Sequence, residues 1–242
     1  AYEIGVRLVG SEMCIRDRYE SNAESVKSGY LGAMKMTILE EIVHSVQDNL
    51  HRLNIQAVMN VNAINEELAK IILELDDKTV TSLTEYLQLQ LVPDEFQIAK
   101  KANLFFMLNP DNFITNVMGP DVMTYTHVEI DPKISEFIPS LEEIYKRWLK
   151  PIQEQHAIFT TMEGMAEFVV QQILKDDADF QNYLTTFVGT NYSDYSVKKS
   201  TGKEFTQNVF DLYGKDTFLK LIKDPPNTRE LKEPQLYLNR IK

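Results

Sequence analysis

Apolar residues along this chain recur at intervals of three and four, the spacing that gathers side chains on one face of an α-helix. Ile38, Ile42, Val46, Leu50 and Leu53 form such a stripe, widened by Leu39 and Val43, and predict a helix ending near Asn54. Val61, Ile64, Leu68, Ile71, Ile72 and Leu75 predict a second. Thr79 is placed to cap a third, carrying Val80, Leu83, Tyr86 and Leu87. Pro93, Asp94 and Glu95 suit the first turn of a fourth, running to about Leu108, because proline is tolerated there and acids match the N-terminal dipole. Asn109-Pro110-Asp111 interrupts the pattern, and residues 109–133 lack helical spacing. Within them Val122 to Ile130 is rich in β-branched and aromatic residues and is the best strand candidate. Helices resume with Ser140 to Glu143, a capping-box pattern before Ile144, Trp148 and Leu149. Pro151 is read as starting a long segment through Ile152, Phe159, Ala166, Val170 and Ile173. Residues 189–193 read as a loop. Phe205, Val209 and Leu212 mark a helix ending at Gly214, and a short one follows to Lys223. The expected fold class is mainly α, with at most a small β element near residues 122–130.

Residues 8–18, LVGSEMCIRDR, look like the in-frame translation of an adapter used in shotgun DNA sequencing. Residues 1–18 are therefore read as an assembly artefact, and residues 19–242 as a single domain. The only cysteine, Cys14, falls in the set-aside part, which excludes a disulfide framework, a CxxC site and a cysteine nucleophile from the remainder. Arg7, Arg16 and Arg18 balance Glu3, Glu12 and Asp17, so the formal charge of −11 belongs to the rest. An acidic surface repels phosphate backbones and argues against nucleic acid as a partner. No apolar run reaches the length of a membrane span. A soluble protein is expected, with the cytoplasm slightly favoured and an upstream signal segment left open.

Four histidines limit the chemistry: His44, His51, His127 and His156. Glu40 and His44 are four residues apart, so on a helix they project from one face, one turn apart, able to grip one ion. Glu41 lies about 100° round the helix from Glu40 and would point beside that ion. Two ligands with an adjacent general base is the geometry of HExxH metallopeptidase helices. Other readings stand beside this one. Thr37 to Glu40 is also a capping-box pattern, Glu41 and His44 suit a solvated pair, and Glu163 suits a helix surface. His51, His127 and His156 read as structural or exposed. Asp176, Asp177 and Asp179 lack the ligand spacing of an EF-hand loop and read as a helix cap.

The run EEIVHSVQDN resembles the HExxHxxQDx helix of gluzincin-type zinc metallopeptidases. Glu163-Gly164-Met165-Ala166 resembles that family's downstream EGxA, whose glutamate is the third metal ligand. Residues 225–238 are similar to a closing PPxSTEQILHPEKYL segment, one residue shorter. The three motifs come in the family's order and span residues 40–238. The resemblance implies a zincin-like helical domain that hydrolyses peptide bonds in peptides or proteins. It implies Glu40, His44 and Glu163 as metal ligands and Glu41 as the base that takes a proton from metal-bound water. Tyr237 is a candidate hydrogen-bond donor to the developing oxyanion.

Two positions depart from the pattern: the first histidine ligand is Glu40 here, and the histidine before the last proline is Glu233. With two glutamates and one histidine the formal charge of a zinc site falls from +1 to zero, which weakens acidification of bound water. Oxygen ligands also shift preference from Zn²⁺ toward Mn²⁺ or Fe²⁺. The expectation is a metal-dependent peptidase weakened by ligand substitution. The alternative is a non-catalytic pseudopeptidase acting as a binding module. A di-iron carboxylate protein is a third reading, but Glu41-Ile42-Val43-His44 has no second ExxH to complete it.

Overall fold

The computed structural model describes residues 23–89, 97–110, 126–187 and 194–242. Among them are eleven helices and no strand. They are α1 (Ala23–His44), α2 (Asp48–Glu74), α3 (Asp77–Tyr86), α4 (Gln97–Leu108), α5 (Pro132–Phe137) and α6 (Leu141–Leu174). The rest are α7 (Ala178–Thr186), α8 (Asp194–Tyr213), α9 (Asp216–Lys223), α10 (Thr228–Lys232) and α11 (Pro234–Arg240). The fold is mainly α, as the periodicity predicts. No helix among the described residues is long and apolar enough to cross a membrane. Residues 126–130 of the strand candidate carry no strand, and residues 122–125 lie outside the described residues, as do the predicted loop at 189–193 and residues 1–18.

Where caps are present they follow short polar side chains. Asp76 accepts from the Thr79 amide and the Thr79 hydroxyl, both at 2.9 Å, and so starts α3. Thr79 thus supplies donors to the cap, and Asp76 is the capping residue. Asp131 with Pro132 at the first helical position starts α5, and Asp177 accepting from the Phe180 amide starts α7. The latter bears out the reading of the aspartate cluster as a helix cap. Gly214, with φ of +55°, ends α8 in the left-handed region that glycine adopts without strain.

Two boundaries differ from the sequence pattern. The stripe Ile38, Ile42, Val46, Leu50 reads through as one helix, yet the chain breaks at residues 45–47 and α2 then runs unbroken to Glu74. Ile38, Ile42 and Val46 are 55%, 56% and 64% exposed, while Leu50 is wholly buried. The residues before and after the break face different surroundings, and periodicity alone does not distinguish them. Pro151 was expected to start a helix but sits inside α6. A proline there leaves the carbonyl four residues back without its helical donor. The flanking Trp148, Leu149 and Ile152 are all buried and outweigh that loss.

The chain divides into two compact units, each assembled from two separated stretches: Ala1–Asn49 with Thr160–Asp224, and Leu50–Phe159 with Pro225–Lys242. The second unit holds a core of Leu68, Ile72, Val80, Leu83, Leu104, Ile138, Leu141 and Ile144, extended by Val61, Trp148 and Ile152. Burial pushes the Tyr145 phenol up, and its hydroxyl donates to the Leu108 carbonyl at 2.7 Å. The first unit packs α1 against α7, with Met36, Leu39, Tyr183 and Leu184 around Val170, Leu174 and Phe180. In the same unit Phe168, Phe210 and Phe218 form an aromatic trio, with centroids 5.1 to 6.2 Å apart.

Candidate functional site

Glu40 and His44 stand one turn apart at the end of α1, and Glu163 lies in α6, all within the first unit. Glu40 and Glu163 are only 7% and 8% exposed. Because α1 already runs from Ala23, Thr37 to Glu40 is helix interior, and the capping-box reading of Glu40 fails. The surface reading of Glu163 fails on its burial.

His44 and Glu163 are neighbours, with Nε2 3.8 Å from Oε1. Gln47 sets the histidine's orientation. It is wholly buried, and its Nε2 donates to the Met162 carbonyl at 3.1 Å. That leaves Oε1 to accept from His44 Nδ1 at 2.9 Å. Nδ1 therefore carries a proton, and Nε2 is the nitrogen turned to Glu163. Metal-binding histidines are commonly presented in this way, one ring nitrogen anchored and the other offered.

Glu40 is engaged differently. Its Oε1 is bound by the Lys199 ammonium from α8. The same ammonium lies 3.6 Å from Glu167 Oε2 and 5.4 Å above the Tyr195 ring. Tyr195 donates its hydroxyl to Glu163 Oε2. Gln171 donates to Glu167 Oε1 at 2.6 Å, and Lys203 donates to Gln171 Oε1 at 3.2 Å. Glu163, Glu167 and Gln171 recur every four residues on α6, and Tyr195, Lys199 and Lys203 every four on α8, so one polar face of each helix meets the other. The Gln171–Lys203 end opens on a groove of about 430 Å³, also lined by Phe168, Ser200 and Gln207. Burial, then the carboxylates of Glu40 and Glu167, push the Tyr183 phenol up.

Two glycines permit this meeting of α6 and α8. A methyl built on Gly164 would overlap the backbone of Gly202 and Lys203, and one on Gly202 would overlap the Thr160 carbonyl. The glycine of the EGxA run therefore has a packing role of its own.

The three residues expected as ligands thus divide. His44 and Glu163 adjoin, while Glu40 is neutralised by an ammonium. A dication set against Glu40 would also sit beside Lys199, and like charges repel strongly in half-buried surroundings. The arrangement does not fit a three-ligand metal site. Among the described residues no group of three or more His, Cys, Asp or Glu side chains is placed to hold a metal ion.

Glu41 is exposed to solvent. Tyr237 belongs to the second unit, where it is wholly buried beneath the Arg240 guanidinium, 5.1 Å from the ring centroid. The closing motif has structural work there. Asn227 and Glu230 form a capping box for α10, Glu230 holds Arg240 at 2.6 Å, and Glu233 pairs with Arg229 at 3.6 Å. His51 and His156 are half-buried, and exposed His127 lies 3.7 Å from Glu129. Sequence reasoning missed Lys199 and Tyr195. The signal was their register: a lysine and a tyrosine at four-residue spacing, matching the glutamates of α6.

Comparison with known proteins finds no family model, no curated protein and no solved structure that matches the chain.

Proposed function

We propose that the chain is a non-catalytic binding protein of gluzincin-like layout, a pseudopeptidase in which a lysine ammonium stands in for the metal ion. One observation carries this reading: Lys199 is bound to Glu40, the residue at the position of the first metal ligand. A glutamate in place of the histidine lowers the net charge of a zinc site and is an apt partner for an ammonium, so Glu40 and Lys199 make sense together. Lys199 carries one positive charge between Glu40 and Glu167, part of the compensation a dication would supply. It has no open coordination position to acidify a water. Without that water, exposed Glu41 has no proton to take. The peptide or protein partner would then be held and released intact.

A metal-dependent peptidase is the second reading, favoured by the anchored Nδ1 of His44 and its nearness to Glu163. One experiment separates the two. The protein is incubated with Zn²⁺, Mn²⁺ or Fe²⁺ and dialysed, then assayed for bound metal, melting temperature and cleavage of a mixed peptide library. Wild type is expected to retain well under ~0.1 metal ion per chain, to melt unchanged and to leave the library intact. The double substitution Glu40→His with Lys199→Leu is expected to take up about one Zn²⁺ per chain. Stoichiometric metal in wild type, with cleavage lost in Glu41→Gln, would establish the peptidase and end the pseudopeptidase reading.

A further inference from the structure

We infer that the exposed apolar face of α1 is the contact face of a two-fold, antiparallel homodimer. The buried positions of α1 are Val26, Gly29, Gly32, Glu40 and Val43. Its other side carries Tyr30, Leu31, Met34, Ile38 and Ile42, continued by Val46, all between 39% and 64% exposed. Single exposed apolar side chains are ordinary on any protein; five along one helix face, with Val46 just past its end, form a contiguous patch of the kind that marks contact sites.

The choice of a second copy as occupant comes from charge and spacing. Lys27, Tyr30, Met34, Ile38 and Glu41 follow one another at three, four, four and three residues. That series keeps all five on one face and is symmetric about Met34. Lys27 and Glu41 are the exposed ends of the seam. Laid antiparallel on a copy, with the two-fold axis through Met34, the face meets itself in complementary order. Lys27 faces the partner's Glu41, Tyr30 faces the partner's Ile38, Met34 meets its counterpart, and symmetry repeats each pair. A parallel arrangement would set Lys27 on Lys27 and Glu41 on Glu41, so charge selects the antiparallel one. The seam from Lys27 to Glu41, 14 steps of about 1.5 Å each, is about 21 Å long. A contact of that length buries less than the roughly 1,200 Å² of standard stable complexes, so the dimer forms at micromolar concentrations and dissociates on dilution. The dimer also gives Glu41 a role that needs no metal, and it stands whether or not Lys199 replaces one.

Sedimentation equilibrium of the full chain from ~1 to ~500 μM tests this, the range over which so small an interface assembles. Wild type is expected to move from monomer to dimer mass. Lys27→Glu and Glu41→Lys should each weaken association about tenfold or more, since each sets like charges opposite one another at two places. Combining them restores opposite charges and should restore wild-type association. Met34→Asp should abolish it. Circular dichroism of each variant checks that the helices persist. A monomer at every concentration would overturn the proposal and leave the face to a different partner. So would a dimer indifferent to Met34→Asp, or a double variant no tighter than the single ones.

Discussion

Gln47 and Gly164 show how much a single position contributes beside the charged groups. Gln47, itself wholly buried, satisfies two partners at once, the buried Met162 carbonyl and the half-buried His44 ring. Gln47→Leu keeps the approximate volume but strands both, which costs about 1–3 kcal/mol for a buried polar group left without its partner. Urea unfolding should show that loss. Nitrogen-detected NMR of the imidazole should show the Nδ1–H form of His44 giving way to a mixture of tautomers, a change that mere loosening of the core would not specify. Gly164→Ala acts through space rather than polarity. The added methyl meets backbone, which cannot swing aside as a side chain can. Overpacking of this kind costs about 1–3 kcal/mol, and the same midpoint measurement reads it. Because α6 must then retreat from α8, the Tyr195–Glu163 and Lys199–Glu167 contacts should weaken in the same variant.

At the scale of elements, the junction of α1 with α7 rests on charge as well as on Leu39 and Tyr183. Lys35 of α1 bonds Asp177 at 2.7 Å and Asp179 at 2.9 Å, while Ser28 donates to Asp179 at 2.6 Å. The Lys35 hydrogen bond is the first cause holding both carboxyls below the usual aspartate range; the Phe180 amide adds to it at Asp177 and Ser28 at Asp179. A carboxyl whose folded pKa is depressed contributes stability that is complete above its unfolded value, about 3.9, and is lost as pH falls through the lower folded value. Lys35 is shifted upward by the same two bonds, so its share is complete below the ordinary lysine range and fades only at higher pH. The junction is therefore expected to be at full strength from about pH 5 to pH 10 and to weaken in acid. Denaturation midpoints at pH 6, 4 and 3 check this. In Lys35→Met the midpoint should be lower at pH 6 and should fall less steeply with acid. Some slope should survive, because the Phe180 amide still bonds Asp177.

For the whole molecule, what the sequence made legible and what it hid follow from the range of the forces involved. Helix content was legible because a 3.6-residue repeat is a local property, and most predicted helices correspond to observed ones. Helix ends were legible where a local side chain makes them, as at Asp177 and Gly214. The end at residue 45 was hidden because its neighbour Gln47 is held by a carbonyl 115 positions away. Pro151 misled for the same reason, since the burial that carries it lies in the packing of Trp148 and Ile152. The pairing of His44 with Glu163 was open only through the resemblance to the HExxH and EGxA motifs, since helix spacing puts each residue on a face without saying which faces meet. Lys199 was not, because a lysine becomes informative only when its counter-ion is known, and that counter-ion is 159 positions earlier. The exposed stripe of α1 inverts the usual inference. Periodicity set Ile38, Ile42 and Val46 in one apolar stripe with Leu50, and within this one chain they face solvent while Leu50 is buried. A periodic apolar face states only that something must cover it. Whether the cover comes from the same chain or from a second copy is decided at the scale of the assembly, where the opposite charges of Lys27 and Glu41 have their effect.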